Sequence, residues 1–169
     1  HAPYYTFYSI YLEGHGYSRG AIGALWALGV AAEVLVFTQM HRILPRLGEY
    51  RLMQLSLILA AIRWFVIGLA VSEPWLLALV QLLHAATFAT FHAAIISLVY
   101  RHFGEGHQGQ GQALYSMLWG LGVAVGSWIA GQYWDSLGAT MIYTAASVAC
   151  IVAIILLRFT QSQQHAAKG

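Results

Sequence analysis

The sequence has little charge. Asp, Glu, Lys and Arg make up only 8% of it, against 59% hydrophobic residues. A soluble domain averages about 25% charged residues, so this chain cannot clothe a water-facing surface, and an ordinary soluble fold is excluded. The net charge of +2, scattered along the chain, gives no basic patch for a nucleic acid partner. Cys150 is the single cysteine, which rules out an intrachain disulfide and says nothing of redox compartment. HExxH, CxxC and a strand-borne Gly-rich phosphate loop are all absent. A haem bundle would need histidines facing each other on two helices, and His84 and His92 share one apolar run. The expectation is therefore no enzyme, no metal and no cofactor.

Long apolar runs take the place of charge, with a mean hydropathy of +0.63. A membrane-crossing helix needs roughly 20 apolar residues. The pattern predicts spans over about 18–42, 52–71, 74–101, 112–133 and 139–157, followed by a cytoplasmic tail over 160–169. Residues 1–12 are apolar but short, and read as the second half of a helix; the opening lacks the basic stretch and cleavage site of a signal peptide. The fold class is all-α, a polytopic bundle in a lipid bilayer. Ser18 is placed to cap the second helix. Pro45 and Gly48 are expected to stop it, and the WDSLG sequence at 134–138 to turn the chain before the last span. Gly20, Gly23, Gly29 and the Gly122–Gly126 pair offer close helix approach. The last span has no ionisable residue and is expected to face lipid. Arg42, Arg46, Arg51, Arg101, Arg158 and Lys168 fall on one side and Arg19 on the other. The positive-inside bias then puts the C-terminus in the cytoplasm.

Three ionisable residues interrupt the apolar runs: Glu33, Arg63 and His84. A charge at mid-bilayer costs about 2.5–3.5 kcal/mol on insertion scales, so such groups face a bundle interior or a wet cavity. Arg63 lies eight residues before Val71, His84 ten after Pro74 and Glu33 nine before Arg42. At 1.5 Å per residue their depths agree within roughly one turn. Such a set can relay a proton, with Arg63 as a fixed charge balancing Glu33 or a substrate anion. It can equally be a static ion pair that locks helices together.

Around these groups lie candidates for a cavity wall. Gln81, His84, Phe88 and His92 share one stripe at helical period, with Thr87 alongside, and Tyr4 and Tyr8 share a face of the first helix. Tyr4, Tyr8 and Phe88 are expected to stack an aromatic ring. The bland readings are an interfacial aromatic belt for the tyrosines and simple packing for His92.

Residues 16–34 (GYSRGAIGALWALGVAAEV), 60–68 (AAIRWFVIG), 74–88 (PWLLALVQLLHAATF) and 130–139 (AGQYWDSLGA), with the basic RILPRLG at 42–48, resemble the C-terminal six-helix half of a major facilitator superfamily transporter. Within it they are most similar to proton symporters of the phenylpropionic acid transporter type, related to lactose permease. The resemblance implies that the first piece is the end of helix seven and that a six-helix N-terminal half is missing. It implies proton symport of a small organic solute, such as an aromatic carboxylate, across a bacterial inner membrane. A nucleoside or sugar symporter is the alternative, and a non-transporting membrane scaffold the rival of another class. Arg63 matches the helix-nine arginine of the permease-like symporters, and His84 their helix-ten histidine. Their helix-ten carboxylate falls on Thr87, and their helix-eight sugar-binding carboxylate falls near Val30, one turn from Glu33.

Overall fold

Every element of the computed structural model, which describes residues 1–166, is a helix. Lys168 and the last tail residues lie outside the described part. The helices are α1 (Ala2–Gly14), α2 (Arg19–Leu47), α3 (Glu49–Leu69), α4 (Pro74–Phe103) and one helical stretch, Gln108–Ala166. That stretch holds 59 residues, roughly 88 Å at 1.5 Å per residue, about three times the hydrocarbon thickness of a bilayer. It breaks at Gly138, whose φ of 76° and ψ of 162° are not helical. The break separates α5 (108–137) from α6 (139–166). The segments Arg19–Leu47, Glu49–Leu69, Pro74–Phe103 and Gln108–Gln163 are each long and apolar enough to cross a membrane. At 13 residues, α1 is about 20 Å long, too short to do so alone.

Two sequence expectations about chain reversals change in detail. The helix does not stop at Pro45: α2 runs on to Leu47, with Pro45 inside it. A proline in the last turn forfeits one backbone bond and leaves little helix beyond it to disrupt. Gly48 alone ends α2, at φ 74° and ψ 158°, a region open essentially to glycine. Likewise Trp134–Leu137 remain helical, and only Gly138 leaves the helix. At the chain's far end α6 continues through Ala166, beyond the span expected to finish at 157. The cap at Ser18 forms as expected, its hydroxyl accepting the Ala21 N–H at 3.2 Å.

The main core joins α1, α3, α4 and α6 through Tyr4, Tyr8, Leu12, Trp64, Ile67, Leu77, Val80 and Tyr143. A smaller cluster of Leu52, Met53, Ala94 and Leu98 ties α3 to α4 near the other end. There Glu49 accepts hydrogen bonds from Ser97 Oγ and Arg101 Nη1, both at 3.0 Å. Helix α6 grips α3 through Thr140 Oγ1 to the Gly68 carbonyl (2.8 Å) and Ser147 Oγ to the Ala61 carbonyl (2.7 Å). Its far face, with Leu156 and Phe159, is exposed. One side of the last helix is thus core, and only the other is free to meet lipid.

The glycines divide sharply by use. A Cβ on Gly126 would stand 2.7 Å from the Ala2 Cβ, so α1 crosses α5 at this point. Gly20, Gly23 and Gly122 have no neighbour of another helix within 4 Å and allow no close approach. Gly29 does: a Cβ there would lie 3.3 Å from Gln81 Oε1 and 3.7 Å from His84 Cδ2. That contact brings α2 against α4 one turn before Glu33.

Candidate functional site

Gly29 determines what Glu33 can reach. With α2 pressed on α4, Glu33 Oε2 lies 3.3 Å from His84 Nε2, their side chains 18% and 5% exposed. This corrects the expectation that Glu33 is balanced by Arg63. Among the described residues, no carboxylate lies within ion-pair distance of Arg63.

Arg63 is held otherwise. It is wholly buried, and its Nε donates to the Val80 carbonyl at 2.8 Å and Nη2 to Gln81 Oε1 at 3.3 Å. The guanidinium lies 4.3 Å from the centroid of the Tyr4 ring and 4.4 Å from that of Trp64. A desolvated cation over an aromatic face gains about 2 kcal/mol or more, and here two faces share the charge. Gln81 Oε1 also accepts the Tyr4 hydroxyl at 2.7 Å, which binds α1, α3 and α4 around one oxygen. The Tyr4 ring lies 5.4 Å from that of His84. A continuous line therefore runs from Arg63 through Tyr4 and His84 to Glu33, with the carboxylate touching the imidazole at its far end.

Tyr4 and Tyr8 are 1% and 0% exposed. They belong to the packing around Arg63, not to an interfacial belt, and neither lines the cavity beside α4. Gln81 is sealed in with them. Thr87, Phe88 and His92 instead line a cavity of about 510 Å³. Thr87 turns its hydroxyl back to the His84 carbonyl at 3.0 Å. The rings of His84, Phe88 and His92 form a column along α4: centroids are 5.5 and 5.8 Å apart, with interplanar angles of 18° and 8°. His92 Nδ1 lies 3.1 Å from the Tyr115 hydroxyl.

Four aromatic residues at the site escaped the sequence reading. Trp26 packs against Tyr4 with its ring tilted by 42° and donates to Ser9 Oγ at 3.0 Å, and Trp64 flanks Arg63. Tyr115 and Trp119, one turn apart on α5, line the cavity. Their i, i+4 spacing was the available signal, in a helix that otherwise advertised its glycines. No group of three or more His, Cys, Asp or Glu among the described residues is placed to hold a metal ion.

The model of the MFS_1 like family matches residues 1–145. The chain belongs to the MFS_1 like family. That membership makes it a multi-pass membrane protein of a transporter family and not an enzyme. A relative from Escherichia coli (strain K12), described as "Probable 3-phenylpropionic acid transporter", is 35% identical over 150 residues. The match covers 88% of this chain and 39% of the relative, so the chain spans well under half of that protein's length. No solved structure matches the chain. In an MFS_1-like protein the all-helical, apolar bundle is accounted for, and the ionisable groups inside it become the features of interest.

Proposed function

We propose that the chain is one half of a twelve-helix, proton-coupled symporter for a small organic solute, an aromatic carboxylate such as phenylpropionate. The observation that carries this reading is the Glu33–His84 pair, 3.3 Å apart on two different helices. A carboxylate and an imidazole in contact are two groups between which a proton can pass, and a proton arriving on Glu33 weakens its hold on the imidazole. The load state of the pair is thereby tied to the contact between α2 and α4. Arg63 cannot give up its proton, so it supports the site as a fixed charge, and Glu33 and His84 are the exchanging groups. The similarity to a protein described as a 3-phenylpropionic acid transporter supports the choice of substrate. By the same reading the C-terminus is cytoplasmic in a bacterial inner membrane, following the basic residues at 42, 46, 51, 101 and 158.

The test is uptake of labelled 3-phenylpropionate by the full-length protein, with and without an imposed pH gradient. Uphill accumulation that follows the gradient is expected. His84→Ala and Glu33→Gln should lose the response to the gradient while retaining downhill exchange. Unchanged gradient-driven accumulation in both variants would remove the pair from coupling and leave it as a packing contact. Competition by unlabelled nucleosides or sugars separates the alternative substrate classes.

A further inference from the structure

Resting on the transport reading above, we infer that Phe88 and His92 of α4 together with Trp119 recognise the ring of the substrate, and that Trp119 and Phe88 set the preference for an aromatic ring over a saturated one. Residues 84, 88 and 92 recur every four positions, so their rings lie one above another on a single helix face. Phe88 and His92, which line the cavity, are nearly parallel at 8° and form one aromatic wall of it. Trp119 meets Phe88 edge to face, at 5.8 Å and 72°, and Tyr115 lies 5.4 Å from the His92 ring. Both belong to α5, so the wall folds round a corner.

Gly122 and Gly126 of α5 and Ala145, Ala146 and Ala149 of α6 line the same cavity. With Leu57, Phe91, Leu118, Ile129 and Ile142 also in the lining, the cavity is almost wholly apolar. Its volume of about 510 Å³ falls within the ~300–1,000 Å³ of small-molecule sites. Aromatic pairs favour offset or edge-to-face contact at 4.5–7 Å, and Phe88 and Trp119 already keep that geometry between themselves. A ring entering the cavity can make contacts of this kind with Phe88 and Trp119, where the His1 ring already lies 5.9 and 5.6 Å from them.

The lining also defines what this wall does not read. Its polar groups include His1, Ser56, Thr87, His92 and Tyr115, and among the described residues no Lys, Arg, Asp or Glu lines it. Arg63, the cation expected to meet a substrate anion, is closed off behind Tyr4 and Trp64. The wall therefore selects the ring, and the carboxylate finds its cation outside this cavity.

The experiment compares uptake of 3-phenylpropionate and 3-cyclohexylpropionate by the full-length protein, as the ratio of their kcat/KM values. Ring–ring contacts contribute about 0.5–1.5 kcal/mol beyond burial, so Trp119→Leu should lower the phenyl preference about 2- to 12-fold. Phe88→Leu should do the same, which keeps the inference testable if one variant fails to reach the membrane. Trp119→Phe should preserve the preference. Active transport with an unchanged ratio in the leucine variants would overturn the inference and leave the transport reading standing. Failure of the unmodified protein to carry either acid would overturn both.

Discussion

If Glu33 is paired with His84 and not with Arg63, the interaction energy must appear in one double-mutant cycle and be missing from the other. The Glu33–His84 distance of 3.3 Å is longer than the 2.7–2.9 Å of a strong charge-assisted bond. Such bonds contribute about 1.5–3 kcal/mol, and the stretched geometry places this one near the low end. The cycle of Glu33→Ala, His84→Ala and the double variant should then give a coupling of about 1–2 kcal/mol. Arg63 and Glu33 share no hydrogen-bond partner, and independent sites add within about 0.5 kcal/mol. The cycle of Glu33→Ala with Arg63→Met should therefore be additive to that level. Methionine fills much of the space of the arginine stem, and Gln81 Oε1 keeps the Tyr4 hydroxyl as a donor, so no buried acceptor is stranded at that oxygen. The assay is denaturation of the purified full-length protein in detergent, with coupling taken from the four variants of each cycle. Coupling above about 1 kcal/mol between Glu33 and Arg63, with none between Glu33 and His84, would refute the pairing seen here.

Two further outcomes follow from the glycines. Gly126→Val should destabilise by about 1–3 kcal/mol, the usual cost of overpacking, because its Cβ already falls 2.7 Å from Ala2 Cβ; Gly122→Ala, with open space around it, should be neutral or mildly stabilising in the same melt. Gly48→Ala and Gly138→Ala should each cost about 1–3 kcal/mol, since both hold a backbone conformation that side chains resist; a melting temperature unchanged in either variant would show that the reversal tolerates a Cβ.

Much of the fold could be read from the sequence because lipid leaves few choices. Every buried backbone group in a bilayer must be bonded within a helix or barrel, so hydropathy placed the helices and glycine placed their reversals. Pro45 misled because its rank as a helix breaker assumes an interior position, and three residues from Gly48 there is almost no helix left to break. The depth of Glu33, Arg63 and His84 could also be computed, since rise per residue is fixed. Rotation about each helix axis could not. Whether Arg63 turned toward Glu33 or toward the Val80 carbonyl depended on how α1, α3 and α4 packed, and whether Glu33 met His84 depended on the missing side chain at Gly29. The same ignorance of facing affected the tyrosines. Their shared face was predicted correctly in period, but nothing local distinguished a face toward Arg63 from a face toward a cavity.

The burial of Arg63 has a consequence for how the bundle can move. Its contacts reach Val80 and Gln81 of α4 and the ring of Tyr4 on α1, from a position on α3. Breaking any of these would uncover a desolvated cation for which no carboxylate among the described residues stands ready, which favours α1, α3 and α4 staying together. Helix α2 is joined to α4 differently. Its charged link is the Glu33–His84 pair, which a proton can weaken without stranding a permanent charge. Close packing at Gly29 resists separation but does not depend on pH. If protonation moves anything in this bundle, loss of the Glu33–His84 contact acts first where α2 meets α4, beside the Gly29 contact.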